Sequence, residues 1–278
     1  MGRGNLIGIP GWERFGWLRA GFSGRPGGLS TVFGGKSLNL GWKEEDADAN
    51  VSENRRRFVH AVWGNEHIGD AVRLVTVRQV HADAIRVVRS GDGPLATENG
   101  RALLEGDGLL TEVADVLLGI QVADCVPVLV ADTRRRVVGG FHAGWRGTLA
   151  RIVEKGVARM REVYGSETED MVAAIGPSIG PCCYSVGEEV RSGFEGGFGY
   201  GAELFWVRLG VEEGDHLDLW EANRRQLVEA GVPVGEVTVL RECTACARGE
   251  DGERRYFSHR AEMGRTGRMM AGIGIVEV

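Results

Sequence analysis

The chain has 278 residues, 43% of them apolar and 26% charged, a balance that supports a sizeable core and excludes a disordered segment, a collagen or a bare coiled coil. A net charge of −6 offers no basic surface for wrapping a nucleic-acid backbone, and no apolar run approaches the ~18 residues of a membrane span. No basic-then-apolar leader opens the chain, so neither nucleic acid nor membrane is expected as a partner and the expected location is cytoplasmic. Glycine is the departure from average usage, at 44 residues against a usual ~7%. All the basic residues except Lys36, Lys43 and Lys155 are arginine, so compositional drift accounts for part of the glycine excess.

Taken in chain order, apolar periodicity of 3.6 predicts a first helix over 51–62, ending at Gly64. Strands enriched in β-branched residues follow over 72–77, 84–88, 116–121, 126–131 and 137–141. A long helix is predicted over 148–164, with Leu149, Ile152, Val153, Val157 and Met160 on one face and Gly165 at its end. A strand over 171–175, a helix over 219–230 ending at Gly231, and a strand over 237–240 complete the reading. The tract of Gly193, Gly196, Gly197, Gly199 and Gly201 around Phe198 matches no motif and reads as drift or a flexible loop. No repeat or Pro/Ser-rich linker divides the chain, so the expectation is one layered α/β (α+β) domain over 1–278, with mixed β-sheets flanked by helices.

Chemistry concentrates where these strands end. Cys125 sits just after one apolar strand and His142 at the end of another that runs into the long helix, and pairing of the two consecutive strands joined by the short turn 133–136 would bring thiol and imidazole together. His81 is read at the end of another strand, and if that strand joins the same sheet, His81, Cys125 and His142 can form one set. Two imidazoles and a thiolate suit zinc, and three protein ligands leave a fourth tetrahedral position for water or substrate. Against this stands the ordinary alternative that a cysteine is simply buried. Gly144 and Gly147 flank Trp145 and Arg146 at the entry to the long helix, where orphan amides and a guanidinium suit a phosphate; equally, the glycines could make a turn and Arg146 pair with a carboxylate. Cys243 and Cys246 have CxxC spacing, but the remaining cysteines, Cys182 and Cys183, are adjacent, which argues against their supplying two ligands to one tetrahedral ion. His60, His67, His216 and His259 occur singly and read as surface or core residues.

The motifs resemble those of the YfiH-type family, known as multicopper polyphenol oxidase or laccase-domain proteins and as zinc-dependent purine nucleoside phosphorylases. The match runs nearly end to end: 21–30, 37–41, Asn54 and Arg55, 79–81, Asp107 with Gly108, 123–125, 141–147, 175–187, 217–219 with Asn223, Cys243 with Thr244, Phe257 with Ser258, and 266–268. Ala82 and His259 depart from the family's usual glycine and aromatic. The resemblance implies metal ligation by His81, Cys125 and His142, with zinc the expected ion and copper an alternative. It implies a fold similar to the catalytic domain of cytotoxic necrotizing factor toxins. The implied activity is phosphorolysis of adenosine, inosine, guanosine and S-methyl-5′-thioadenosine with inorganic phosphate, accompanied by adenosine deamination. Cys125, His142 and Arg146 are then the expected catalytic residues, and Arg55, Arg146 and Asn39 the expected substrate and phosphate contacts, in a monomer or homodimer. The alternatives are a Cys125–His142 hydrolase editing peptidoglycan precursors, a laccase, or a non-enzymatic zinc-binding scaffold. Six histidines in all are too few for the several coppers of a laccase unless subunits share ligands.

Overall fold

In the computed structural model, which describes residues 6–64, 72–208 and 214–277, the strands are β1 (Leu6–Ile7), β2 (Leu18–Ser23), β3 (Pro26–Ser30), β4 (Arg73–Thr76), β5 (Ile85–Val88), β6 (Gly108–Thr111), β7 (Val116–Val122), β8 (Val126–Asp132), β9 (Val137–Ala143), β10 (Met171–Ile175), β11 (Ser185–Val186), β12 (Phe205–Arg208), β13 (Gly214–Leu217), β14 (Val237–Val239) and β15 (Met269–Ile275). The helices are α1 (Asp48–Trp63), α2 (Trp145–Leu149), α3 (Ile152–Tyr164), α4 (Glu188–Gly197) and α5 (Leu219–Glu229). One sheet runs β1-β2-β15-β7-β4, a second β14-β10-β8-β9-β6-β5, and a small third β11-β13-β12. Both large sheets are mixed: β4 lies parallel to β7, β5 to β6 and β14 to β10, while the other neighbours are antiparallel.

The unbroken apolar run of β8 follows from burial of both its faces. Successive side chains of a strand point to opposite sides. Val126, Val128 and Val130 therefore pack with Ile152, Val153, Val157 and Met160 of α3. Leu129 and Ala131 face Leu118 and Ile120 of β7 in the other large sheet. On the far side of the five-stranded sheet, Phe58, Val59 and Val62 of α1 cover Leu117 and Met270. The layers are thus α1, the five-stranded sheet, the six-stranded sheet, and α3 with α5. Close helix–sheet approach is built in at Gly156 of α3, where a Cβ would lie 2.3 Å from Phe141 Cζ of β9.

The strands predicted from β-branched runs all form, with ends shifted by a residue or two. The helix predicted over 148–164 does not form in one piece. α2 ends at Leu149, and Arg151 adopts a left-handed conformation (φ 61°) that restarts the chain as α3. Arg151 is held there by its own side chain, which donates to Glu154 and to the Gly197 carbonyl. The glycine tract is likewise no loose loop: Gly193, Gly196 and Gly197 belong to α4. Gly193 and Gly197 let that helix approach Leu149, and a Cβ on Gly201 would lie 2.1 Å from the Phe194 carbonyl oxygen. No helix among the described residues is long and apolar enough to cross a membrane.

Candidate active site

The β8–β9 hairpin sets the centre of the site. Its register places Val126 opposite Ala143 and Pro127 opposite His142, so Cys125, one residue before β8, emerges beside the His142 side chain. The preceding residue, Asp124, is left-handed (φ 86°), a conformation that costs a non-glycine residue about 1 kcal/mol or more. Three contacts hold it: its carboxylate accepts from Thr244 Oγ1 and from the Arg260 amide, each at 2.6 Å, and its carbonyl accepts from the Ile179 amide at 2.9 Å.

His81 is not at a strand end and does not come from the sheet of the hairpin: it arrives on the turn after β4 of the five-stranded sheet, also with positive φ, and Asp107 fixes that turn. The buried Asp107 carboxylate accepts from the backbone amides of Val80 (3.2 Å), His81 (3.0 Å) and Ala82 (2.8 Å), and it bonds His142 Nδ1 at 2.7 Å. A proton on His142 Nδ1 leaves Nε2 as the ring's ligand or base. The His81 and His142 rings stand 4.9 Å apart and nearly perpendicular, and ligand atoms of His81, Cys125 and His142 all lie within 4.8 Å of one another. Gly144 makes this approach feasible, since a Cβ there would come within 2.9 Å of Cys125 Sγ.

The electrostatics are those of a thiolate beside an imidazolium when no ion intervenes. Burial by itself pushes the Cys125 thiol up, but the charge of His142 and hydrogen bonds from His142 and His81 overcome it and bring it down to about 6. Burial opposes charge on His142, yet the Cys125 thiolate and the Asp107 carboxylate raise it to about 9. Asp107 is itself buried, which works against ionisation, and the bonds from His142 and the turn amides nevertheless hold it below the usual carboxylate range. This donor set fits a zinc-class ion: a thiolate and two imidazoles converge, and a carboxylate behind one imidazole sets its tautomer.

These three residues form part of the wall of a cavity of about 820 Å³, large enough for a nucleoside. Its charged lining, the histidines aside, comprises Arg78, Arg101, Arg260 and Arg268 against a single carboxylate, Asp124. Arg78 and Arg101 are paired with Glu105 and Asp48. Arg268, in contrast, makes no ion pair among the described residues, and its guanidinium donates only to the carbonyls of Thr266 and Gly267. Trp42, Trp145 and Tyr184 add aromatic faces, and burial pushes the Tyr184 phenol well above its ordinary range.

The other residues expected at the site lie elsewhere. Asn39 is fully buried with its amide committed: it donates to the Gly41 carbonyl and to Asp46, and accepts from the amides of Gly41 and Arg268. It cannot also hold a substrate; what it does is position Arg268. Arg55 is buried in α1, donating to the carbonyls of Leu40 and Gly100 beneath the Trp42 ring, and does not line the cavity. Arg146 is exposed, with its guanidinium over the Trp145 ring at 4.2 Å, outside the cavity lining on a helix of only five residues. His259, where the chain departs from the family pattern, does line the cavity. His216 is a core residue bonded to the Pro181 carbonyl at 2.7 Å, His60 borders Arg56 on α1, and His67 lies outside the described residues. The sequence reading missed Asp107, Asp124 and Arg268 as site residues; all three stand inside recognisable motifs, but their partners are distant in sequence. It also misjudged the adjacent cysteines, for Cys182, Cys183, Cys243 and Cys246 come within 4.8 Å of one another.

A family model described as multi-copper polyphenol oxidoreductase laccase matches residues 19–276. The purine nucleoside phosphorylase YlmD of Geobacillus stearothermophilus is 39% identical over 94% of this chain and 95% of its own. The adenosine deaminase RL5, from an unknown prokaryotic organism, is 34% identical over 72% of this chain and 74% of its own. Among solved structures, the Bacillus licheniformis hypothetical protein YfiH superimposes with a TM-score of 0.84 at 35% identity, covering 98% of this chain and 97% of that one.

Proposed function

The chain belongs to the multi-copper polyphenol oxidoreductase laccase family, and on that footing we propose that it is a purine nucleoside phosphorylase that also deaminates adenosine. The observation that carries this reading is the arginine-lined cavity of nucleoside size with His81, Cys125 and His142 on its wall. Relatives named for both activities share most of its length. The substrates are adenosine, inosine, guanosine and S-methyl-5′-thioadenosine.

In phosphorolysis a phosphate oxygen bonds C1′ of the ribose as the C1′–N9 bond breaks, and the purine departs with the bonding pair. The proton that hydrogen phosphate loses balances the one the purine gains. Arg268, oriented by Asn39 and unpaired with any described carboxylate, is the proposed anion anchor, with Arg260 and Arg101 beside it; Asn39, Arg55 and Arg146 are not direct contacts in this scheme. Tyr184 keeps its proton at neutral pH and is a donor on the cavity wall, while Trp145 offers a ring face for the base. His81, Cys125 and His142 would hold a zinc ion, which when bound supplies a Lewis acid at the cavity wall. In deamination a water oxygen replaces the 6-amino group and ammonia leaves. The test is chromatography of each nucleoside incubated with zinc-loaded protein, with and without phosphate. Adenine and ribose 1-phosphate formed from adenosine only with phosphate is the expected result; no base release from any of the four nucleosides overturns the reading.

A second reading has one specific support. Cys125, His142 and Asp107 are arranged as nucleophile, base and orienting carboxylate, the constellation of a cysteine hydrolase, here acting on amide bonds of peptidoglycan precursors. Thiolate attack and metal ligation compete for the same sulfur. Amide hydrolysis that survives complete chelation favours the hydrolase, and nucleoside phosphorolysis that chelation abolishes, with no amide hydrolysis, favours the phosphorylase.

A further inference from the structure

Cys182 and Cys183 lie between β10 and β11, and Cys243 and Cys246 follow β14. These two loops are laced together by backbone pairing. Ser178 bridges Cys243 in parallel, the Ser178 amide donates to the Glu242 carbonyl at 3.2 Å, and the Thr244 amide donates to the Ser178 carbonyl at 3.0 Å. Cys182 and Cys183 occupy a turn in which the amides of Cys183 and Tyr184 both donate to the Gly180 carbonyl. On a strand, neighbouring side chains would point apart; in this turn both reach the loop that carries the CxxC pair.

The spacing is that of a thiolate cage. The four sulfurs lie within 4.8 Å of one another, with Cys182 Sγ and Cys246 Sγ 3.7 Å apart. Sulfurs each ~2.3 Å from one tetrahedral ion stand about 3.8 Å apart. A disulfide would bring two of them to ~2.05 Å, and no disulfide joins the cysteines. Backbone amides are aimed at the most buried sulfur: Cys243 Sγ accepts from Gly180 at 3.3 Å and from the amides of Cys246 and Ala245. Amides directed at a sulfur favour its thiolate, the form that binds metal. Arg254 and Arg260 bind carbonyls of these loops and offset the charge that four thiolates bring. Cys182 and Cys246 are exposed, so an ion enters directly from solvent.

We propose that Cys182, Cys183, Cys243 and Cys246 form a structural site for a soft, thiophilic divalent cation of the zinc class, separate from the His81–Cys125–His142 centre. Each thiol releases its proton to solvent as the ion binds, with no change of oxidation state. A four-sulfur shell leaves no coordination position for substrate, so the ion acts as a staple. What it staples is the wall of the active site: Ile179 and Thr244, one from each loop, are two of the three residues that hold Asp124, the third being Arg260, and Asp124 immediately precedes Cys125.

The test uses the full-length protein purified under reducing conditions, with metal content measured by atomic emission. The expected result is one ion per chain fewer in the Cys182→Ser/Cys246→Ser variant than in the wild-type protein, whatever the occupancy of the other centre. Cobalt(II) added to the Cys125→Ser variant should give sulfur-to-cobalt charge-transfer absorption that disappears when Cys246→Ser is added. Without any variant, zinc loading should shield Cys182, Cys183, Cys243 and Cys246 from iodoacetamide, and chelation should expose them. Unchanged metal content in the double variant, or no shielding by zinc, or a Cys182–Cys246 disulfide in zinc-loaded protein, overturns the proposal. Nucleoside turnover does not enter these readouts, so failure here is distinct from failure of the phosphorylase reading.

Discussion

Two clusters of metal-ligating side chains flank Asp124, and they differ in the ways that separate chemistry from scaffolding. The His81–Cys125–His142 cluster has three donors of mixed kind, faces a cavity of about 820 Å³, and is backed by the Asp107 carboxylate. The four-cysteine cluster has donors of one kind, sits between two loops away from the cavity lining, and is backed by backbone amides. Three ligands beside a cavity leave room for a substrate, whereas four thiolates satisfy a tetrahedral ion completely. The lesson is that ligand count and surroundings, more than ligand identity, assign the role.

The comparison breaks if the two clusters respond alike to substitution. His142→Ala removes both a ligand and the partner of the Cys125 thiolate, and should lower kcat/KM for phosphorolysis by ~10³-fold or more, about 4 kcal/mol of transition-state stabilisation. Steady-state kinetics on adenosine would check it, and full activity in this variant would remove the centre from the mechanism. Asp107→Asn keeps the shape but weakens the grip on His142 Nδ1 and on the turn carrying His81; a ~10–100-fold loss in metal affinity or activity is expected, read by chelator competition alongside kinetics. Arg268→Ala should raise the KM for phosphate by ~10-fold or more while leaving nucleoside binding nearly intact, as loss of a charge-assisted contact of about 1.5–3 kcal/mol implies. Thr244→Val deletes the bond to Asp124 that ties the two clusters together, and should cost about 1–3 kcal/mol of stability, measured by denaturant unfolding.

The smallest effect is a pH dependence that sharpens the contrast between the thiols. In metal-free protein the Cys125 thiolate persists down to about pH 6, whereas burial pushes the Cys183 thiol up to about 12 and the Cys182 thiol higher still. Iodoacetamide followed by peptide mapping at pH 7 should therefore label Cys125 before Cys183. The sign for stability follows from the same pair. The depressed Cys125 pKa contributes stability that is lost as pH falls through about 6, and the raised His142 pKa contributes stability that is lost as pH rises through about 9. Between those limits the one contribution grows as the other declines, so the urea midpoint of metal-free protein should change little across that range, and a steep change there would contradict the thiolate–imidazolium pair.

Much of this was legible in residues alone. The β8–β9 hairpin could be read because both strands are continuous apolar runs across a four-residue polar turn, and consecutive strands so joined pair; Cys125 and His142 then had to be neighbours. β2 and β15 were not legible, since Leu-Arg-Ala-Gly-Phe-Ser and Met-Met-Ala-Gly-Ile-Gly-Ile carry small residues where close packing needs them and so dilute the β-branched signal. The helix break at Arg151 rests on a left-handed residue held by tertiary contacts, which periodicity cannot register. Asn39 and Arg55 were legible as members of motifs but not as to role: a motif marks a constrained residue, and here the constraint is to hold Arg268, Trp42 and their loops.

What the sequence determined by itself was therefore local: which runs become strands, where they turn, and which ligand types stand at the turns. The tertiary structure decided which distant groups share a partner. Asp107 gathers His142 and the turn of His81 into one hydrogen-bonded set, and Asp124 is pinned by Ile179, Thr244 and Arg260. Two loops more than fifty residues apart bring four cysteines together, although two of them are adjacent in the chain. Spacing along the chain governs contacts only within a helix, strand or turn; between them, the register of packed sheets determines which side chains meet.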